Sequence, residues 1–160
     1  MSKVYVSVGT NIDREHNVRA ALQRLAEEFG VLEQSQTYET VAVGFEGEPF
    51  YNLVVAFDSE QDPQQIARIL RQIEDEHGRQ RSGGKFSDRT LDLDLLLYDD
   101  LVLNSPDLTL PRPEIETYAF VLRPLAEMAG DFKHPLTGRS FADMWNDFDS
   151  AAQSMWPVDL

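Results

Sequence analysis

The run Arg89-Thr90-Leu91-Asp92-Leu93-Asp94-Leu95-Leu96-Leu97 holds the residue types in this 160-residue chain that most clearly ask for chemistry. Its leucines predict a strand from Leu91 to Tyr98, along which successive side chains point to opposite faces. Asp92 and Asp94 then share one face, and Leu91, Leu93, Leu95 and Leu97 cover the other. Two neighbouring carboxylates in an apolar strand repel each other and resist leaving water unless a cation or a shared proton compensates. Mg²⁺ suits such a pair, because it takes one or two carboxylates and fills its remaining positions with water and substrate phosphates. A solvated sheet face is the plainer alternative.

A basic island stands immediately before this strand. Six basic residues (Arg68, Arg71, Arg79, Arg81, Lys85 and Arg89) lie among four acidic ones, a local net charge of +2 in a chain whose remainder carries −16. Guanidinium groups fork phosphate oxygens, so basic residues beside a metal-binding carboxylate pair suit a polyphosphate. Gly84-Lys85 is a near miss to a Walker A loop: Arg79 stands where its first glycine belongs, and Phe86 follows the lysine. His16, His77 and His134 lack metal-ligand spacing, which disfavours zinc. Phe50, Tyr51, Asn52 and Phe120 could line a slot for a flat heterocycle, the asparagine amide meeting the ring edge as donor and acceptor.

The elements that must position these residues follow from periodicity. Val4, Val6 and Val8 alternate into a strand ending at Gly9-Thr10-Asn11. Asp13 is placed to cap a helix whose stripe Val18, Ala21, Leu22 and Leu25 runs to Gly30. Residues Val31 to Thr40 and Phe50 to Phe57 read as two further strands, joined across the acidic, glycine-bearing stretch Gly44 to Pro49. Asp62-Pro63 opens a second helix, striped by Ile66, Ile69, Leu70 and Ile73 and stopped by Gly78. A mobile loop is expected from Arg79 to Arg89. Short helices follow the strand around Phe120 to Met128 and Phe141 to Phe148. Strand, helix, strand, strand, helix, strand is the split β-α-β order of an α+β, ferredoxin-like antiparallel sheet in a single domain over residues 1–160.

Composition narrows the classes. A net charge of −14 argues against general binding to a nucleic-acid backbone. The absence of cysteine excludes disulfides, thiolate zinc sites and cysteine nucleophiles. The N-terminal run is too short and too alternating for a signal peptide and no apolar stretch approaches membrane-spanning length, so a cytoplasmic protein without membrane partners is expected, as a monomer.

Across most of its length the chain resembles the 6-hydroxymethyl-7,8-dihydropterin pyrophosphokinases of folate biosynthesis. The matching segments are Val8-Gly9-Thr10-Asn11, Tyr38-Glu39-Thr40, Phe50-Tyr51-Asn52, Glu74 before Gly78-Arg79, Arg89 to Asp94, and Phe120 to Leu125. The resemblance implies a ferredoxin-like fold and transfer of pyrophosphate from Mg-ATP to the pterin hydroxymethyl oxygen, with release of AMP. It implies that Asp92 and Asp94 hold two Mg²⁺ ions, and that Arg81, Lys85 and Arg89 act with them at the phosphates. Arg71, Glu74, Arg79, Leu95, Thr109 and Arg112 fall at nucleotide positions. Asn11, Thr40, Val41, Val43, Phe50, Asn52, Phe86 and Phe120 fall around the pterin. The chain departs from the usual pattern at Ser87-Asp88 (Gly-Pro), Phe86 (a tryptophan), Arg112 (a histidine), Tyr118 (an arginine) and Val41-Ala42 (prolines). These departures define the alternative expectation, a diverged paralog with weak activity or another acceptor.

Overall fold

The computed structural model describes residues 1–41, 47–78, 91–151 and 153–160. The expected pocket residue Val43 and the loop residues Arg79, Arg81, Lys85, Phe86 and Arg89 lie outside them. Eight strands and five helices form among the described residues: β1 (Ser2–Thr10), α1 (Arg14–Phe29), β2 (Glu33–Gln34), β3 (Thr37–Thr40), β4 (Phe50–Ser59), α2 (Pro63–Glu76), β5 (Asp92–Tyr98), β6 (Leu103–Asn104), β7 (Thr109–Leu110), α3 (Glu114–Thr117), α4 (Ala119–Ala129), α5 (Phe141–Asn146) and β8 (Met155–Val158). The main sheet is antiparallel in the order β5-β1-β4-β3-β8, with β2 also on β4. This is the expected α+β architecture.

The two faces of the sheet carry separate cores. Val4, Val6, Val8, Leu53, Val55, Phe57, Leu93 and Leu95 meet the apolar stripes of α1 and α2. Tyr5, Val54, Ala56, Leu96 and Leu97 meet α3, α4 and α5 through Ile115, Val121, Leu122, Leu125, Phe141 and Met144. Tyr38 also ties β3 to α4. Burial and the Glu127 carboxylate hold its hydroxyl up at about 12, so it stays protonated and donates to Glu127 Oε1 at 2.6 Å.

Several local expectations change. The strand read from Val31 to Thr40 is two strands, because the Ser35 hydroxyl accepts the Val54 N–H at 3.0 Å and interrupts the ladder; Val31 is exposed. Asp13 stands at the N-cap of α1 but makes no side-chain cap bond, since its left-handed backbone (φ 43°, ψ 54°) turns the carboxylate away. Asp62 caps α2 in full: its carboxylate accepts Gln65 N at 2.8 Å while Gln65 Oε1 accepts Asp62 N at 3.0 Å. Leu97 does not share the face of Leu95. An irregularity between Tyr5 and Val6 places Leu96 as the extra residue of β5, and Leu97 rejoins the ladder on the α4 side.

Candidate active site

Register decides what the sheet brings together. Asp92 lies opposite Gly9 of β1, and Gly9 lies opposite Asn52 of β4; Asp94, Ser7 and Val54 form the next row on the same face. Asn52 in turn pairs with Tyr38 of β3. With strands about 4.8 Å apart, the Asp92 and Asn52 backbones are only ~10 Å apart, with a single residue between them. That residue has no side chain. A Cβ on Gly9 would stand 2.5 Å from Asn52 Oδ1, so the glycine leaves the space in which the Asn52 amide lies against the sheet.

Asn52 is buried and aimed by a partner: its Nδ2 donates to Thr40 Oγ1 at 2.8 Å. Phe50, two residues earlier on the same face, borders Gly9. Phe120, stacked on Tyr118 at 5.1 Å between ring centroids, packs into the core on this side. Asn11 is buried, and its Nδ2 donates to the Glu48 carbonyl at 3.2 Å, fixing the chain that leads into β4. Val41 lies half exposed beyond the end of β3. Tyr51 is turned out of the proposed aromatic slot. It follows Phe50 on the strand, so its ring packs on the opposite side under the Arg14 guanidinium, 4.1 Å from the ring centroid.

On β5, burial first and the Asp92 charge second push the Asp94 carboxyl up to about 8. Arg112 opposes that rise from 3.3 Å away. Desolvation works against the Arg112 charge, but Asp94, Glu114 and Asp92 outweigh it and hold the guanidinium above its ordinary value. The register of Arg112 is set by its backbone, whose N–H donates to the Leu96 carbonyl at 3.0 Å beside β5. Glu74 reaches from α2 to the same strand and accepts the Leu93 N–H at 2.8 Å.

The other residues expected around a nucleotide are spread around this edge. Arg71 is exposed one turn before Glu74, and Thr109 lies in β7. The Leu95 side chain is in the core beneath α1 and α2, which leaves its backbone as the part able to face a nucleotide. Glu114 was missed in the sequence. Its signal is an acidic residue two positions after an arginine, too common to single out. Asp92 and Asp94 present hard oxygen donors on one face, and their mutual repulsion is relieved by a cation; this donor set fits Mg²⁺ completed by phosphate and water. Among the described residues no cluster of three or more metal-ligating His, Cys, Asp or Glu side chains forms.

Comparison with known proteins agrees with this geometry. The family model described as 7,8-dihydro-6-hydroxymethylpterin-pyrophosphokinase matches residues 5–130. The chain belongs to this family. A 2-amino-4-hydroxy-6-hydroxymethyldihydropteridine pyrophosphokinase of Porphyromonas gingivalis is 42% identical over 141 residues, covering 84% of this chain and 95% of the relative. The Aquifex aeolicus pyrophosphokinase is 33% identical over 138 residues, 85% of this chain and 86% of its own length. Among solved structures, the wild-type Plasmodium falciparum HPPK-DHPS crystal structure shares the fold at a TM-score of 0.73 and 15% identity, covering 94% of this chain and 44% of that one. The stretch that the family model matches includes the strand that carries Asp92 and Asp94.

Proposed function

We propose that the chain transfers the pyrophosphoryl group of ATP to 6-hydroxymethyl-7,8-dihydropterin, in folate biosynthesis. The observation that carries this reading is the row Asp92, Gly9, Asn52, in which a strand with two carboxylates lies one residue from a buried amide on one sheet face. Asn52, held by Thr40, reads the pterin edge; Phe50 and Phe120 stack on the ring, with Asn11, Val41, Val43 and Phe86 completing the pocket. Asp92 and Asp94 would hold the expected two Mg²⁺ ions, which when bound would supply charge neutralisation to the triphosphate. Arg81, Lys85 and Arg89 meet the phosphates, and Arg71, Glu74, Arg79, Leu95, Thr109 and Arg112 surround the nucleotide.

In the transfer, the pterin hydroxymethyl oxygen forms a bond to the β-phosphorus of ATP as the bond to the α-phosphate oxygen breaks. AMP leaves and the hydroxyl proton is released. No covalent enzyme intermediate is required, so alignment and charge neutralisation account for the catalysis. Residues 1–160 act as one domain and one monomer, in the cytoplasm. Among the described residues no helix is long and apolar enough to cross a membrane.

AMP formation from ATP and the hydroxymethyldihydropterin, with Mg²⁺ and with EDTA, tests the reading. Metal-dependent AMP is expected. Asp92→Asn and Asp94→Asn should each lower kcat by two or more orders of magnitude, the usual cost of removing transition-state charge stabilisation, ~10² or more. Pterin binding without AMP would reject the transferase assignment, and full activity in both variants would reject the metal assignment.

A further inference from the structure

Arg112 does more at this site than neighbour a nucleotide. Its guanidinium lies between two carboxylates, with Nη2 3.3 Å from Asp94 Oδ1 and Nε 2.6 Å from Glu114 Oε2. Nε and Oε2 are buried, yet their contact is an ion pair without the direction of a hydrogen bond. The backbone of Arg112 is fixed on β5 by the bond to Leu96, so the side chain can change partner without moving the chain. Glu114 opens α3, whose Ile115 is fully buried, and so its position is equally fixed.

We propose that Arg112 is the resident counter-ion of the Asp92–Asp94 pair in the nucleotide-free chain, and that Glu114 takes up its charge when a divalent cation displaces it from Asp94. The inference rests on the metal-dependent reading of the site. Two cations cannot both stand against one Asp94 oxygen at contact distance without repelling. Glu114, whose Oε2 meets the Nε beside the Nη2 that faces Asp94, gives Arg112 a place to remain, from which it can meet phosphate. Arg112 thereby covers the acidic pair until the metal-nucleotide complex arrives, and disfavours binding of bare Mg²⁺.

The two ends of the pair make opposite predictions. Calorimetric titration of Mg²⁺ into the nucleotide-free chain should show Arg112→Gln binding about fivefold tighter than the parent, the size of one partly exposed ion pair. Its melting temperature without metal should fall and recover as Mg²⁺ is added. Glu114→Gln leaves the guanidinium to Asp94 alone, and Mg²⁺ should bind more weakly. Roles confined to structure would move both variants in the same direction, and that result overturns the proposal. If Arg112→Gln fails to fold, the sign of the Glu114→Gln change decides. The nitrogen NMR signal of Arg112 Nε should also move during Mg²⁺ titration of the parent chain; a static signal overturns the displacement. Asp94→Asn separates the two readings: if it binds Mg²⁺ as tightly as the parent, the metal assignment falls and the counter-ion goes with it.

Discussion

Gly9 sits where any other residue would collide with the Asn52 amide, the group proposed to read the heterocycle. The 2.5 Å approach of an added Cβ to Asn52 Oδ1 is far inside contact distance. Since Asn52 is buried and already committed to Thr40, it cannot swing aside cheaply. Gly9→Ala should therefore cost ~1–3 kcal/mol of stability as an overpacking change. It should weaken pterin binding at least tenfold, because displacement of the amide removes its alignment. Nucleotide affinity, which the proposed site places on β5 and α2, should change far less. Parallel titrations with the pterin and with an ATP analogue make the comparison, and equal losses for both ligands would show that Gly9 supports the sheet and not the pocket.

At the scale of elements, β5 is the edge strand of the main sheet, and Glu74 covers part of its open side by accepting the Leu93 N–H. Glu74→Ala should lower stability by ~1–3 kcal/mol through the buried donor left behind. Glu74→Gln, which keeps an oxygen acceptor, should lose much less. Chemical denaturation of the two variants checks this, and an alanine variant as stable as the parent would mean the edge bond contributes nothing. The strand itself was readable from the alternation of leucine and aspartate, and α2 from its capping box and apolar stripe, because local pattern and tertiary burial agree there. What was not readable depends on partners distant in sequence. The Ser35 side chain replaces a ladder bond only because Val54 is opposite it, Leu97 changes face only because β1 sets the register, and β8 exists only because β3 offers it an edge. The same holds within the site: the paired aspartates and Asn52 were evident as types, whereas the exclusion of Tyr51 and the Arg112–Glu114 pairing required the fold.

For the whole molecule, two groups shifted by desolvation set how stability responds to pH, and they act from opposite sides. Asp94 has a folded-state pKa raised from 3.8 to about 8, first by burial and then by Asp92, so the folded chain holds a proton that the unfolded chain releases. Its stabilising share is present below the ordinary carboxylate range and is lost as pH rises through about 8. His134 is shifted the other way. It is buried, its Nδ1 accepts the backbone N–H groups of Leu136 and Thr137 at 3.1 and 3.2 Å, and burial holds its pKa below 6.5. Protonating that nitrogen breaks both bonds, so stability should fall as pH drops through 6.5 and below. If Mg²⁺ binds at the carboxylate pair, as proposed, it offsets only the Asp94 loss, because His134 lies outside that pair. Melting temperatures measured from pH 5 to 9 should therefore show a loss of stability on going up to about pH 8 and none beyond it, which Asp94→Asn removes and Mg²⁺ reduces, together with an acid decline below 6.5 that neither alters. A loss toward pH 8 unaffected by Mg²⁺ and by Asp94→Asn would place its origin away from the carboxylate pair.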